Sequence, residues 1–261
     1  MSDDATLAAD LADAAGQLLL QVRAAHPGID PRELKGLGDS RAQELLAARL
    51  AEARPHDAIL SEEAVDDRRR LSAERVWIID PLDGTREYSE GRSDWAVHVA
   101  LWQGGALVAG AVALPGIGTV LCTDPAPVVP AAVGDGRGLR MAVSRTRPPA
   151  VADALTQQMG LHPVPMGSAG YKVAAVVRGE VDLYVHAGGQ YEWDSAAPVA
   201  VAWAAGLHAS RLDGSALVYN QEDVLLPDLV VCRADLAAAV LEELARIAAD
   251  GRQDMTTEVT A

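Results

Sequence analysis

The sequence predicts a layered fold in two parts, an α+β first half followed by an α/β second half. In the first half the predicted strands follow one another directly, which is typical of an antiparallel sheet. In the second half strands alternate with helices, which favours an α/β arrangement. The chain has 261 residues and is 49% hydrophobic, enough for an extensive core. A stretch rich in Pro and Gly at residues 126–140 separates the halves. We place the boundary there, between a 1–135 and a 136–261 subdomain.

The first half combines two helices with a run of strands. Apolar residues recur at helical spacing over residues 7–22, and a second helix is predicted over 40–53. The polar stretch 62–70 is predicted to be a loop or short helix. Short apolar runs rich in β-branched residues and Ala predict strands at 76–79, 95–102, 106–114 and 119–122. Gly104 and Gly105 would form the turn of a hairpin.

The second half is predicted to alternate between the two kinds of element. Compact apolar runs predict three strands, at residues 139–143, 181–186 and 229–232. Helical spacing of apolar residues predicts helices at 150–159, 169–177, 195–205 and 235–249.

Charge and hydropathy narrow the classes of function. The formal net charge is -15, which argues against a nucleic acid polymer as partner because phosphate backbones bind basic surfaces. Every long apolar run is interrupted before the ~18–20 residues that a membrane span needs. Residues 1–4 are acidic and lack the basic and apolar regions of a secretory signal, so we expect a cytoplasmic protein. If the ligand is a small anion, bound divalent cations would have to offset the repulsion.

The cysteines and histidines are predicted to be structural. Cys122 and Cys232 are far apart and lack metal-site spacing, so we interpret them as small buried apolar residues. His98, His186 and His208 lack paired ligand spacing, and a site of hard oxygen ligands would not recruit them. We expect all three in the core or on the surface.

The most informative stretch is the hexapeptide Asp-Pro-Leu-Asp-Gly-Thr at residues 80–85, directly after a predicted buried strand. It presents two carboxylates three residues apart, and Pro81 turns the backbone without losing a donor. Gly84 permits close backbone approach, and the amides of residues 84 and 85 would face an anion if a helix begins there. Hard oxygens beside such amides suit Mg²⁺ together with phosphate. The alternative is an ordinary turn, since Asp-Pro and Asp-Gly both favour one.

Two further acidic segments lie at comparable places in the predicted fold. Glu62 and Glu63 follow a short apolar run, and Asp194 begins a predicted apolar helix. For Asp194 taken alone, the alternative interpretation is an ordinary helix cap. Capping does not explain why three acidic clusters all lie where a strand or loop meets a helix, so we interpret them as one site.

Together these segments resemble the inositol monophosphatase-like superfamily. The resemblance rests on Ser-Glu-Glu at residues 61–63, Trp-Ile-Ile-Asp-Pro-Leu-Asp-Gly-Thr at 77–85 and Trp-Asp-Ser-Ala-Ala at 193–197, in the family's order. Members are magnesium-dependent, lithium-sensitive phosphatases. The resemblance implies an αβαβα layered sandwich of the sugar-phosphatase type, with an antiparallel sheet in the first half and a mixed sheet with helices in the second. It also implies a site in the crevice between the halves.

The family pattern implies a role for each matched residue, with most of the metal ligands in the first subdomain. Two Mg²⁺ ions, with a third and weaker one supported by Asp39, would be bound. The implied metal ligands are Glu62, Asp80, Leu82 through its carbonyl, Asp83 and Asp194. Thr85 and Glu62 would orient the attacking water, which displaces the leaving group in line without a covalent phosphoenzyme. Gly36 stands where family members usually carry Thr, so the network around the third ion departs from the family pattern.

The substrate is predicted from smaller differences within the superfamily. Inositol monophosphatases place a Glu seven residues before the downstream Asp, where this chain has Ala187. Residues 60–63, 83–88 and 143–145 resemble the bacterial CysQ branch, whose members are 3′(2′),5′-bisphosphate nucleotidases. The resemblance implies hydrolysis of adenosine 3′,5′-bisphosphate to AMP and phosphate in sulfate assimilation. Fructose 1,6-bisphosphate and an inositol phosphate are the alternatives on the same fold.

Substrate contacts are predicted from both halves of the chain. The candidates are Asp83, Gly84, Thr85, Arg145, Ser168, Lys172 and Asp194. A second phosphate would need a cation, for which we consider Arg145, Lys172 and Arg178. The rings of Tyr171 and Tyr191 are candidate faces for adenine, although plain packing explains either equally well.

Two other classes of protein stay open. A catalytically inactive sensor would keep the ligand residues without turnover, whereas a structural protein would use its acidic residues only as caps. In the second case Asp83→Asn would leave metal affinity unchanged. Family members often form homodimers, and the strand predicted at residues 95–102 would suit a core or an interface.

Overall fold

This computed structural model describes residues 3–66, 68–130 and 138–258, with side chains up to residue 250. The described residues form two sheets and seven α-helices. The helices are α1 Asp3–Ala25, α2 Pro31–Ala53, α3 Thr85–Ser89, α4 Ala150–Met159, α5 Ala169–Val177, α6 Glu192–Ala204 and α7 Ala237–Glu258. The strands are β1 Ala58–Ser61, β2 Arg75–Asp83, β3 Ala96–Gln103, β4 Ala106–Leu114, β5 Thr119–Cys122, β6 Arg140–Ser144, β7 His162–Met166, β8 Leu183–Tyr191, β9 His208–Ser210 and β10 Leu225–Cys232.

The first sheet has the strand order β1-β2-β3-β4-β5. Its last four strands pair antiparallel, as expected, but β1 pairs parallel with β2, so the prediction of a wholly antiparallel sheet is wrong in this respect. The four residues of β1 are too few for a periodic signal, and the polar segment that follows them carries the chain back to a parallel start. This parallel pair matters because it places the carboxyl ends of β1 and β2 at the same edge.

The second sheet is mixed, with the order β7-β6-β8-β10-β9. β6 pairs parallel with β7 and β8, whereas β10 pairs antiparallel with β8 and β9. β7 was not predicted from the sequence, because it contains Pro163 and Pro165. It lies at the edge of the sheet, where a strand tolerates the missing N–H donors of proline. β9 was missed because three residues carry no period.

The elements stack in five layers, which confirms the αβαβα sandwich. Alternate residues of β2 face opposite sides, so Trp77 and Ile79 pack with α1 and α2, while Val76 and Ile78 face α5 and α6. A third apolar cluster joins the outer face of the second sheet to α4 and α7. β3 lies at the centre of the first sheet with its residues 96–101 buried, so the strand predicted at 95–102 serves the core.

Several predicted bounds differ from the observed ones. α2 begins at Pro31 rather than at residue 40, and the Asp30 side chain accepts a hydrogen bond from the Arg32 amide at its start. Gly36 and Gly38 weakened the helical signal of its first turns. β2 does not stop at residue 79 but continues through Asp83. The predicted subdomain boundary at 135/136 lies outside the described residues. Among the described helices, none combines the length and the apolar character that crossing a bilayer requires.

Candidate metal and phosphate site

The end of β2 supplies two buried carboxylates. The pairing of β2 with β3 is irregular between Asp80 and Asp83, so both carboxylates leave the strand on the side of α5 and α6. The Leu82 amide donates to Asp80 Oδ1 at 3.0 Å. Asp80 Oδ2 is buried and has no hydrogen-bond partner among the described residues. A buried carboxylate oxygen without a donor is unfavourable unless a cation binds it.

Asp83 is held by the start of α5. Its Oδ2 accepts hydrogen bonds from the Ser168 hydroxyl at 2.5 Å and from the Gly170 amide at 2.6 Å. The Ala169 amide lies 3.2 Å from Oδ1. Three donors therefore fix the orientation of this carboxylate before any ligand binds, and they tie the first sheet to the layer of central helices.

Asp194 brings a third carboxylate to the same place. It lies in the first turn of α6, where its Oδ2 accepts a hydrogen bond from the Tyr191 amide at 2.6 Å. Carboxylate oxygens of Asp80, Asp83 and Asp194 all lie within 4.8 Å of one another. Because Mg²⁺ binds hard oxygens at ~2.1 Å, ligand oxygens around it lie about 3–4 Å apart. The donor set and its spacing therefore fit a divalent cation.

Glu62 joins this cluster through the parallel pair of strands. Ser61 at the end of β1 aligns with Ile79, which places Glu62 beside Asp80. The Glu62 side chain is largely exposed, yet its carboxyl end is partly desolvated among other acids. This desolvation, together with the charges of Asp83 and Glu63, raises the pKa of Glu62 to about 7.

Asp39 faces the same acidic surface from α2. Partial burial and the charge of Glu63 raise its pKa to about 7, against the opposing effect of Lys35. Its charge also contributes to the raised pKa of Glu62. The position predicted to support a third ion therefore lies near the cluster but outside its buried part.

Burial, reinforced by repulsion among the carboxylates, dominates the electrostatics of the site. Burial and the Asp83 charge raise the pKa of Asp194 to about 7. Burial and the Glu62 charge hold the pKa of Asp80 well above its ordinary value. Without a cation these raised pKa values favour the protonated carboxyl groups, and a divalent ion would displace their protons.

The rest of the hexapeptide completes β2 and leads into α3. Leu82 is buried between the two aspartates, and Gly84 has a φ of 88° in the left-handed region that favours glycine. A Cβ at Gly84 would come within 3.0 Å of the Ser168 Cβ, so the residue also permits close packing against α5. α3 begins at Thr85, which is half-buried and lines a cavity beside the cluster.

The candidate substrate residues divide between two adjoining cavities. Ser168 and Lys172 line a cavity of about 510 Å³ that contains Asp83 and Asp194. The buried Lys172 ammonium donates to the Ser168 carbonyl at 2.6 Å, and burial lowers its pKa. Arg145 lines the second cavity, of about 320 Å³, where it pairs with carboxylates of α3 and the residue after it.

The other residues considered for substrate binding are Arg178, Tyr171 and Tyr191. Arg178 pairs with Glu180 and lies over the ring of Tyr171, at the end of α5 away from the acidic cluster. Tyr191 lines the larger cavity and stacks on Trp193, with ring centroids 4.7 Å apart. Of the two tyrosines considered for adenine, Tyr191 is therefore the one at the cavity.

Residues that sequence reasoning missed surround the carboxylates. His98 was expected in the core or on the surface; it is fully buried, and its ring lies against Asp83 with Nε2 3.3 Å from Oδ2. The alignment of His98 with Asp80 across β2 and β3 would have revealed this, but the register of the two strands is not evident from the sequence. Arg147 was not considered, although it lines both cavities.

This chain belongs to the inositol monophosphatase family, whose model matches residues 2–249. A 3'-phosphoadenosine 5'-phosphate phosphatase of Mycobacterium leprae is 55% identical over 249 residues, which cover 91% of this chain and 92% of that protein. The 3'(2'),5'-bisphosphate nucleotidase CysQ of Escherichia coli K12 is 28% identical, covering 83% of this chain and 94% of its own.

Solved structures give the same result for the fold. The crystal structure of CysQ from Bacteroides thetaiotaomicron, a bacterial member of the family, matches with a TM-score of 0.77 at 25% identity. The match covers 89% of this chain and 98% of that one. Metal dependence is typical of the family, and the acidic cluster of this chain agrees with it.

Proposed function

We propose that this protein is a Mg²⁺-dependent phosphatase that hydrolyses adenosine 3′,5′-bisphosphate to AMP and phosphate. The observation that supports it best is the convergence of Asp80, Asp83 and Asp194, with one buried oxygen of Asp80 unpartnered among the described residues. The substrate is supported by the 55% identity to a mycobacterial 3'-phosphoadenosine 5'-phosphate phosphatase over nearly the whole chain.

The carboxylates of the cluster, Glu62 and the Leu82 carbonyl would hold the metal ions. When bound, Mg²⁺ supplies positive charge that neutralises the transferred phosphoryl group and acidifies the attacking water. Thr85 and Glu62 orient that water for attack on phosphorus: its oxygen forms the new P–O bond while the P–O bond to the ribose 3′-oxygen breaks. The proton that the water loses balances the one that the 3′-oxygen gains as it leaves as a hydroxyl group. The amides at the start of α3 would donate to the phosphate oxygens. Asp83 keeps its orientation through the three donors from the start of α5.

The cavities beside the cluster offer cations for a second phosphate. Lys35, Arg86 and Arg147 line the smaller cavity, and none of them forms an ion pair with another described residue. The chain contains only two lysines, Lys35 and Lys172, and each lines one of the two cavities. In a protein of net charge -15, cations that have no ion pair within the described part of the chain and lie beside an acidic site favour a ligand that carries more than one phosphate.

The two cavities adjoin, which suits a substrate longer than a single phosphate. They share five lining residues, namely Gly84, Ser144, Thr146, Arg147 and Ser168. A ligand whose reacting phosphate lies among the carboxylates can therefore extend its second phosphate towards the arginines. Arg145 contributes less charge there, because Glu87 and Glu90 already pair with it.

The proposal is tested by phosphate release with Mg²⁺ from adenosine 3′,5′-bisphosphate, fructose 1,6-bisphosphate and inositol 1-phosphate, with and without Li⁺. A strong preference for the nucleotide that Li⁺ abolishes is the expected result. Comparable or faster turnover of a sugar phosphate would replace the substrate but keep the phosphatase. No release from any of the three would reject the proposed activity.

A pair of matched variants links activity to the cluster. Asp83→Asn keeps the shape of the side chain but removes the charge, so we expect loss of both Mg²⁺ binding and phosphate release. Asp213→Asn makes the same change in an exposed turn, where Asp213 accepts hydrogen bonds from Ser215, and it should leave both measurements unchanged. Unchanged Mg²⁺ affinity in Asp83→Asn would favour a structural role for the acidic residues.

A further inference from the structure

The imidazole of His98 lies where the three metal-binding segments meet. His98 is fully buried on β3 and aligns with Asp80 on β2. Its Nδ1 lies 3.0 Å from the carbonyl oxygen of Trp193, the residue before Asp194. Its Nε2 lies 3.3 Å from Asp83 Oδ2. One ring thus contacts the segments that carry Asp80, Asp83 and Asp194.

The contact with Trp193 defines how the ring is oriented. A carbonyl oxygen can only accept, so Nδ1 donates its hydrogen to it. This hydrogen bond fixes the peptide plane between Trp193 and Asp194, in the first turn of α6. Because Asp194 follows directly, its position relative to β2 is set from the central strand of the first sheet.

The first turn of α5 closes the site around the same ring. A Cβ at Gly170 would lie 1.9 Å from His98 Nε2, so only glycine leaves room for the imidazole there. The Gly170 amide meanwhile donates to Asp83 Oδ2 at 2.6 Å. Helix α5 therefore approaches Asp83 and His98 at the same point, where Gly170 lies against the imidazole ring of His98.

We propose that His98 is a positioning residue that holds the Asp194 segment at the correct distance from Asp80 and Asp83 for Mg²⁺ binding. This inference rests on the proposed function only in assuming that the acidic cluster binds Mg²⁺. Residues behind metal ligands commonly change metal affinity about 10–100-fold when they are replaced. His98 contacts the metal-binding segments from behind and takes no part in the reaction itself.

The test measures Mg²⁺ binding directly, by calorimetry on the protein without substrate. His98→Leu keeps a similar volume without polar atoms, whereas His98→Asn places an amide donor near Nδ1 and can restore the hydrogen bond to the Trp193 carbonyl. We expect the Leu variant to bind Mg²⁺ about tenfold more weakly. The Asn variant should recover most of the affinity. His208→Asn, on β9 against Ser210, is the matched control and should bind as the wild type does.

The outcomes separate this inference from the proposed function. Equal Mg²⁺ affinity in the wild type and the Leu variant would overturn the positioning role, as would an Asn variant as weak as the Leu variant. The melting temperature in EDTA reports folding separately, so a variant that only loses stability shows a lower melting temperature with unchanged affinity, which also rejects the inference. A wild-type protein that binds no Mg²⁺ would instead reject the proposed function.

Discussion

The Ser168 hydroxyl donates a 2.5 Å hydrogen bond to Asp83, joining the first turn of α5 to the end of β2. The same oxygen accepts a hydrogen bond from the Tyr171 amide and so caps the helix. Ser168 therefore has two roles: its hydroxyl oxygen accepts a hydrogen bond from a helix amide, and its hydroxyl hydrogen orients the Asp83 carboxylate. The sequence alone predicted it only as a substrate contact.

Ser168→Ala should weaken both the fold and the site. Loss of the cap is expected to lower the free energy of unfolding by about 1–2 kcal/mol in urea titrations. Loss of one of the three donors loosens the orientation of the Asp83 carboxylate, so the Mg²⁺ concentration for half-maximal activity should rise several-fold. Ser215→Ala is the control, since Ser215 also donates to a carboxylate, but in an exposed turn. An unchanged Mg²⁺ requirement in Ser168→Ala would contradict the orienting role.

Arg147→Ala tests the proposed site for the second phosphate. A charge-assisted hydrogen bond to phosphate contributes about 1.5–3 kcal/mol, so kcat/KM for adenosine 3′,5′-bisphosphate should fall about 10–100-fold. The loss on adenosine 3′-monophosphate, which lacks the second phosphate, should be much smaller. Arg41→Ala on α2 removes an exposed arginine elsewhere and should change neither value. Equal losses on both substrates would place Arg147 outside a second-phosphate site.

The layered architecture could be predicted because the spacing of apolar residues shows which face of each helix or strand is buried. The strand at 76–79 and its aspartates were found because an apolar run ends in a motif with polar atoms at fixed positions. β1 and β7 were missed for opposite reasons, since the first is too short for a period and the second contains prolines at a sheet edge. Both require knowledge of neighbouring strands.

In the candidate site, too, the residues within local motifs were predicted, whereas those defined by tertiary contacts were not. The carboxylates Glu62, Asp80, Asp83 and Asp194 were named from local motifs, and the structure brings the last three within 4.8 Å. The environment of His98 depends on strand register, which a local motif does not encode. The ion pairs that distinguish Arg145 from Arg147 also depend on tertiary contacts, because Glu87 and Glu90 come from another element.

Asp194 gives the metal-free protein a characteristic pH dependence. Its pKa in the folded state is about 7, above the ordinary value near 4, so the folded protein keeps a proton that the unfolded chain has lost. Stability from this group should therefore fall as pH rises from about 4 to 7 and then stay constant. The buried His98 and His186, whose pKa values are lowered, act in the opposite sense around pH 6.

The contribution of Asp194 is isolated by comparing the wild type with Asp194→Asn in EDTA. The melting temperature of the wild type, relative to the variant, should decrease between pH 5 and pH 7. Added Mg²⁺ should raise the wild-type melting temperature more at pH 8 than at pH 6, because protons compete with the metal for the carboxylate. A wild-type advantage that grows with pH in EDTA would contradict the assignment.

Arg70 joins the loop after Glu62 to the segment before β10. Its side chain is 1% exposed and donates to Asp66, to Asn220 and to the Gln221 carbonyl. Arg70→Ala should lower the free energy of unfolding by roughly 3 kcal/mol, since it leaves buried acceptors unpartnered. Arg246→Ala breaks an exposed pair on α7 and should cost under about 0.5 kcal/mol. Urea denaturation measures both, and equal small losses would contradict the buried role.

The sign of the effect of Gly170→Ala on the free energy of unfolding should depend on the residue at position 98. With His98 present, the new methyl would meet Nε2, and the strain should lower the free energy of unfolding by about 1–3 kcal/mol. In a His98→Ala background the ring is absent, and alanine is intrinsically better than glycine in a helix by about 1 kcal/mol. There the same substitution should be neutral or stabilising. A double-mutant cycle by urea denaturation measures the difference. An equal cost in both backgrounds would show that the conflict lies with some other neighbour of Gly170.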